Sequence, residues 1–292
     1  MRILLIGAKG MLGSDIVKDW TSDELIPADS KDADIRNLDQ VRDLVSKVRP
    51  QWILLTAGYT DVDDSEKNAD QAFAVNATGT ENVARVSTEF GAHLFYVSTD
   101  YVFDGSSSRP YETTDLLNPL NVYGASKAAG EAAVQKYANH WCIGRTSWLF
   151  GASGASFPEK ILHASEVRSE LIVVADQVGS PTFTRDLSSA MRNLVRADAR
   201  GILHITNSGI CSWFEFAQEI LKQAGRPSIR VLPTTASGIA RPARRPNYSV
   251  LSPLSLHQHG ITMRHWREAV PVYLEDLRKV GKLKSGKEKE SS

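Results

Sequence analysis

Through the first half of the chain, short apolar runs alternate with longer stretches that are apolar on one face only. Ile3–Ile6, Leu25–Ala28, Trp52–Thr56, Leu94–Ser98 and Trp141–Gly144 are too short for helices and read as strands. Between them, Met11–Trp20, Leu38–Val48, Gln71–Phe90 and Gly124–Tyr137 repeat apolar residues at helical spacing. Runs that do not alternate with polar residues belong to strands covered on both faces. Strand–helix–strand succession with right-handed crossovers then builds a doubly wound parallel sheet, a Rossmann-like α/β fold.

After Trp148 the rhythm changes. Gly151–Pro158 reads as a loop, Leu171–Val174 and Leu203–Thr206 as strands, and Arg185–Arg196 as a helix. Ser212 is placed to cap a helix running to Gln223, and Pro233–Pro253, which also contains Pro242 and Pro246, reads as mostly irregular. The expected organisation is a dinucleotide-binding domain over 1–147, with 171–198 returning to it. A smaller, discontinuous C-terminal substrate domain takes 148–170 and 199–280. A polar tail with too little to bury, 281–292, should be disordered.

Composition narrows the function. The 292 residues carry 34 basic and 34 acidic side chains, so net charge gives no reason to expect nucleic acid or an anionic membrane as partner. The two cysteines, Cys142 and Cys211, lack CxxC spacing, which points to a reducing, cytoplasmic setting. The N-terminal apolar run is too short for a signal sequence or a membrane span.

Directly after the first strand stands Gly7-Ala-Lys-Gly10-Met11-Leu12-Gly13. Glycines between a strand and a helix allow a tight turn and bring backbone close to a pyrophosphate at the positive end of the helix. A ligand-free turn has similar needs, so position in the fold carries the argument. About twenty residues on, Asp29 ends the second strand, where a carboxylate would meet the adenosine ribose. Ser30 and Lys31 beside it suit a 2′-phosphate instead, leaving NADH and NADPH both open. Asp34 and Ile35 are further adenosine-side candidates. The third strand ends in Thr56-Ala57-Gly58-Tyr59-Thr60, whose small residues leave room at the carboxyl edge.

Tyr123-Gly-Ala-Ser-Lys127 places a phenol and an ammonium one helical turn apart. A lysine cation and the positive ring of an oxidised nicotinamide would both lower the tyrosine pKa toward neutrality, as general acid–base work requires. Alone, the pattern is common. The fourth strand, however, ends in Ser98-Thr99-Asp100-Tyr101-Val102-Phe103, which sets hydroxyls at the carboxyl edge to bond a substrate carbonyl.

Together, the glycine loop, strand-end hydroxyl and YxxxK resemble the extended short-chain dehydrogenase/reductases. Within them, Ser98–Phe103, Pro119–Gly124, Arg145–Trp148 and Asp176–Thr182 resemble motifs of the dTDP-4-dehydrorhamnose reductases, in the same order over about residues 1–280. The resemblance implies that Tyr123 is the proton donor to the C4 oxygen and that Lys127 orients the ribose and tunes the phenol. It implies that Thr99 bonds the C4 carbonyl and that Asp100, Tyr101, Val102, Phe103, Trp148 and Gln177 border the sugar nucleotide. It also implies reduction of dTDP-4-dehydro-L-rhamnose by NADPH or NADH. Arg245, in a stretch resembling the family's RPxxS, suits the substrate diphosphate, although a solvated basic loop is an equal reading.

Some members of that family dimerise through magnesium held by glutamates, one of them two residues beyond the glycine loop. Asp15 stands there, so no metal and a monomer or weak homodimer are expected. The histidines form no metal-ligand set. Asn76 reads either as part of a buried helix with Phe73, Val75, Val83 and Val86 or as a buttress of the glycine loop. Two other readings remain: an epimerase or dehydratase of the same superfamily, and a non-catalytic regulatory subunit of the methionine adenosyltransferase type. Dehydratases carry Asp-Glu after the threonine, where this chain has Asp100-Tyr101.

Overall fold

The computed structural model describes residues 1–283. Six strands form one parallel sheet: β1 (Arg2–Ile6), β2 (Glu24–Ala28), β3 (Trp52–Leu55), β4 (His93–Thr99), β5 (Trp141–Thr146) and β6 (Gly201–His204). Their order is β6-β5-β4-β3-β1-β2. The chain reverses direction across the sheet between β1 and β3, opening a crevice at their carboxyl ends.

Alternation along each buried strand divides the core. Ile3, Leu5, Leu54 and Phe95 face the helices Met11–Asp19 and Thr184–Arg196. Leu4, Ile6, Leu55 and Tyr96 face the helices Leu38–Val48, Thr80–Glu89 and Val122–Tyr137. A second core gathers Phe150, Phe183, Phe216, Trp266 and Tyr273 beside the sheet. No helix among the described residues is long and apolar enough to cross a membrane.

Several segments depart from the sequence reading. The stretch Gln71–Phe90 is not one regular helix: Ala69–Phe73 and Thr80–Glu89 flank a wider π turn at Ala74–Gly79. The turn directs the Asn76 amide inward, and Phe73 is partly exposed rather than core. The Gly151–Pro158 loop stops short, because Phe157 opens the helix Phe157–Val167 with Pro158 in its first turn, where proline is tolerated.

Pro233 and Thr234, at the start of the stretch read as irregular, close the strand Arg230–Thr234, which pairs with Glu170–Val174. Helix Trp266–Lys279 buries Trp266, Ala269, Val270, Tyr273, Leu274 and Leu277 at helical spacing although Pro271 lies inside it. Proline removes the donor that would serve the Arg267 carbonyl, and Gln223 Nε2 donates to that oxygen at 3.1 Å instead.

The two halves interleave differently from the expected division. Residues 201–204 close the main sheet, whereas Leu171 and Val173 pack in the second core. Leu283 is buried there and Lys282 reaches Glu159 at 3.0 Å, so the start of the expected tail belongs to the fold. The rest of that expectation, 284–292, lies outside the described residues.

Candidate active site

A cavity of about 800 Å³ follows the carboxyl edge of the sheet from β2 to β5. At one end the glycine loop forms its floor. Gly7 has φ +101°, and a Cβ there would lie 2.5 Å from the Ala57 amide nitrogen. A Cβ on Gly13 would lie 2.1 Å from the Gly7 carbonyl oxygen, so neither position admits a side chain. Gly10 precedes the first helix with no side chain capping it, and the amides of Met11, Leu12 and Gly13 open toward the cavity. This bare, electropositive cradle fits a dinucleotide pyrophosphate.

Asp29, Asp34 and Ile35 line the adenosine end, as do Lys9, Ser30 and Arg36. Lys9 pairs with Asp29, which also accepts the Lys31 amide at 2.8 Å. Lys9 first, and then that amide, hold the Asp29 carboxyl below its ordinary range. Arg36 binds Asp34 through two nitrogens, at 2.6 to 3.0 Å. Acid and base are matched here, in keeping with the open choice between NADH and NADPH.

Ala57 and Gly58 line the cavity, but Tyr59 does not. Its hydroxyl bonds Asp64 while Asn76 clamps its backbone, accepting from Tyr59 N at 2.8 Å and donating to Tyr59 O at 2.9 Å. Asn76 therefore buttresses the loop after β3, not the glycine loop.

At the centre stand Ser98, Thr99, Asp100, Tyr101, Tyr123 and Lys127. Tyr123 and Lys127 share a face of Val122–Tyr137, whose start is capped by Asn121 Oδ1 accepting from Gly124 N at 2.7 Å. The helix approaches closely because its contacts are glycines. A Cβ on Gly124 would lie 2.1 Å from the Tyr101 carbonyl oxygen, and one on Gly130 2.4 Å from the Tyr96 hydroxyl.

Lys127 is buried, donates to the Val97 carbonyl at 2.7 Å and lies 4.1 Å from the Tyr96 ring centroid. Burial lowers its pKa to about 7, opposed by Glu131 one turn further on. Burial pushes the Tyr123 phenol up to about 12, against a hydrogen bond from Thr99. The protein's own groups thus hold the phenol protonated, and the lowering expected from the sequence drew also on the positive ring of a nicotinamide.

Beneath them lies a buried network absent from that reading. Arg145 binds Glu131 at 2.7 to 3.2 Å, and the Ser98 hydroxyl donates to Glu131 at 2.6 Å. Ser98 also borders the cavity, but its hydroxyl is committed to this network.

Trp148 borders the far end together with Trp213, which no motif in the sequence singles out. Four predicted contacts fall elsewhere. Val102 and Phe103 are fully buried in a small core with Tyr111 and Leu251, since the strand ends at Thr99 and the tight 3-10 turn Asp100–Val102 carries them away from the cavity. Gln177 is buried off the cavity wall. Arg245 is a layer behind, with its guanidinium on Asp63 at 2.7 and 2.8 Å beside Tyr101.

The residues at the family's magnesium position do not fit a divalent ion. Asp15 is buried and accepts from Thr184 at 2.5 Å, and burial raises its pKa. The neighbouring Asp19 and Asp276 are met by Arg185, at 3.8 and 3.1 Å. No cluster of three or more potential ligands occurs among the described residues.

Fold and site define a dinucleotide-dependent member of the extended short-chain dehydrogenase/reductase architecture. The family model described as RmlD substrate binding domain matches residues 1–279, and the chain belongs to that family. A dTDP-4-dehydrorhamnose reductase of Mycobacterium tuberculosis is 36% identical over 94% of this chain and 92% of its own. A dTDP-4-keto-6-deoxy-D-glucose reductase of Streptomyces niveus is 36% identical over 92% of this chain and 95% of its own. The crystal structure of a Bacillus anthracis dTDP-4-dehydrorhamnose reductase in complex with NADP superposes with a TM-score of 0.92. It is 38% identical, covering 94% of this chain and 99% of that one.

Proposed function

We propose that the chain is an NAD(P)H-dependent oxidoreductase that reduces the C4 ketone of dTDP-4-dehydro-L-rhamnose to give dTDP-L-rhamnose. The observation that carries this reading is the convergence of Thr99, Tyr123 and Lys127 with the glycine cradle on one cavity. The relatives' shared activity supports the choice of substrate.

A reduced nicotinamide dinucleotide, held by Gly7–Gly13 and by Asp29 or its neighbours, supplies the hydride. The chain's own residues do the rest. Thr99 donates a hydrogen bond to the C4 oxygen as negative charge develops on it. Tyr123 Oη then passes its proton to that oxygen. A pKa of about 12 keeps the proton available at neutral pH, and the acceptor must become strongly basic before it is transferred.

The resulting phenolate is stabilised by Lys127, whose ammonium gains a partner at the moment its burial is most costly. Tyr101 and Trp148 border the sugar, and Arg245 supports Tyr101 from behind. We place the protein as a monomer or weak homodimer, because Asp15 and Arg185 leave no carboxylate cage for a bridging ion.

The test supplies dTDP-4-dehydro-L-rhamnose with NADPH or NADH and follows loss of absorbance. Turnover should appear with at least one cofactor and fall by about 10²–10⁴-fold in Tyr123→Phe while cofactor affinity holds. No oxidation with either cofactor refutes the reading.

A further inference from the structure

Trp148 is one of three non-glycine residues with positive φ among the described residues, at 48°. An indole-bearing residue rarely adopts that conformation, so something must hold it there. Its ring stacks on Trp213 with centroids 3.5 Å apart and planes 6° from parallel. Aromatic quadrupoles prefer offset or edge-on arrangements to such a face-to-face sandwich. Neither the backbone nor the stack is the arrangement Trp148 would choose for itself.

The surroundings impose both. Trp213 opens the helix Trp213–Gln223, fixed by a capping box between Ser212 and Glu215. The preceding Cys211–Ser212 pairs antiparallel with Val178–Gly179, so one ribbon carries both Trp213 and Gly179. A Cβ on Gly179 would lie 2.5 Å from Trp148 Cε2, which leaves no room for a side chain. Phe157 supports Trp213, with centroids 4.6 Å apart. The Trp148 backbone is pinned as well: Ser147 donates to the Ser180 carbonyl at 2.6 Å, and Thr182 N donates to the Trp148 carbonyl at 3.2 Å.

We infer that Trp213 and Gly179 form a slot holding the Trp148 indole at the sugar end of the cavity, which makes both of them positioning residues for the sugar nucleotide. The inference rests on the functional reading above for the identity of the ligand. The two indoles present an apolar wall suited to the apolar edge of a deoxysugar. Holding the wall in place before binding removes an ordering cost that the ligand would otherwise bear. The effect should therefore fall on the sugar nucleotide and spare the dinucleotide, which sits at the other end.

The test compares the wild type with Trp213→Ala and Trp213→Phe. Face-to-face indoles couple their transitions, so the wild type should show an exciton couplet in far-ultraviolet circular dichroism that Trp213→Ala loses. Trp213→Ala should raise KM for dTDP-4-dehydro-L-rhamnose about tenfold and leave KM for NADPH within about twofold. Trp213→Phe, which keeps an aromatic face, should recover most of the lost affinity.

An unchanged sugar-nucleotide KM in Trp213→Ala overturns the inference, as does a couplet that survives it. An equal rise in both KM values also overturns it, since general loosening of the fold would then be the cause. If the wild type fails to reduce the keto sugar, the functional reading falls by itself. Tryptophan-fluorescence titration with dTDP-L-rhamnose, which needs no turnover, still decides the slot: weaker binding to Trp213→Ala supports it, and wild-type affinity or no binding to the wild type overturns it.

Discussion

Replacing Glu131 by Gln keeps the side chain's shape and removes its charge. Both members of the Glu131–Arg145 pair are essentially without solvent, at 0% and 2% side-chain exposure. The variant therefore strands a guanidinium that water cannot reach. Its remaining polar neighbours are the Thr113 carbonyl at 3.3 Å and His204, which burial keeps uncharged. Removing one partner of such a pair costs about 3–5 kcal/mol. In a chain of this size that is a fall in melting temperature of roughly 10 °C.

The charge also matters to Lys127, because the Glu131 carboxylate offsets its burial. A lysine whose folded pKa lies below its unfolded value of 10.5 destabilises the fold wherever the folded state must bind its proton. That cost is complete below about pH 7 and fades as pH rises toward the unfolded value. Removing Glu131 deepens it, so the deficit measured by denaturant unfolding should be larger near pH 6 than near pH 9. Adding Arg145→Met should recover most of the loss by removing the stranded charge. A Glu131→Gln variant within about 1 kcal/mol of wild type, or a double variant less stable than the single one, would refute the reasoning.

Other outcomes follow from the same geometry. Gly13→Ala sets a methyl against the Gly7 backbone, and overpacking of about 1–3 kcal/mol should weaken dinucleotide binding roughly tenfold or more in a fluorescence titration. Burial raises the Asp100 carboxyl to about 7 from its ordinary 3.8, so the folded state holds the proton more tightly. Its contribution therefore makes stability fall as pH climbs through that interval, and Asp100→Asn should flatten this part of the unfolding profile. Sedimentation with magnesium and with a chelator should give the same mass, because Asp15 and Arg185 offer no bridging site. Thr99→Val should lower kcat more than it raises KM in steady-state assays, since its bond to the C4 oxygen strengthens only as charge develops.

Much of the fold was legible because both-face burial writes itself as unbroken apolar strands. The periodicity that placed β1 to β5 and the helices between them is a local property. The glycine loop, Thr99 and the Tyr123–Lys127 pair were legible for a similar reason, since each is a short pattern tied to the end of one element. What escaped depends on distance. Trp213 meets Trp148 only after a ribbon and a capped helix bring them together. Glu131 and Arg145 look like ordinary charged residues until β5 and its neighbouring helix bury them. The resemblance was carried one step too far at Val102 and Phe103, which follow Tyr101 in a motif but pass through a 3-10 turn into a separate core. At Tyr123 the sequence shows a neighbouring cation and hides the burial that opposes it.

The route of the chain between its two cores bears on how such a protein can be recombined. Helix Thr184–Arg196 covers one face of the main sheet and Gly201–His204 supplies its last strand, yet both lie beyond the first segments of the second core. A single-junction chimera near residue 150 would pack a relative's helix against Ile16 and Leu54 and pair a relative's strand with β5, so the main core itself becomes a hybrid. Exchanging the sugar pocket between relatives without touching the main core therefore calls for several crossovers. Change of substrate is left to point substitutions around the cavity, where Trp148, Gly179 and Trp213 constrain one another.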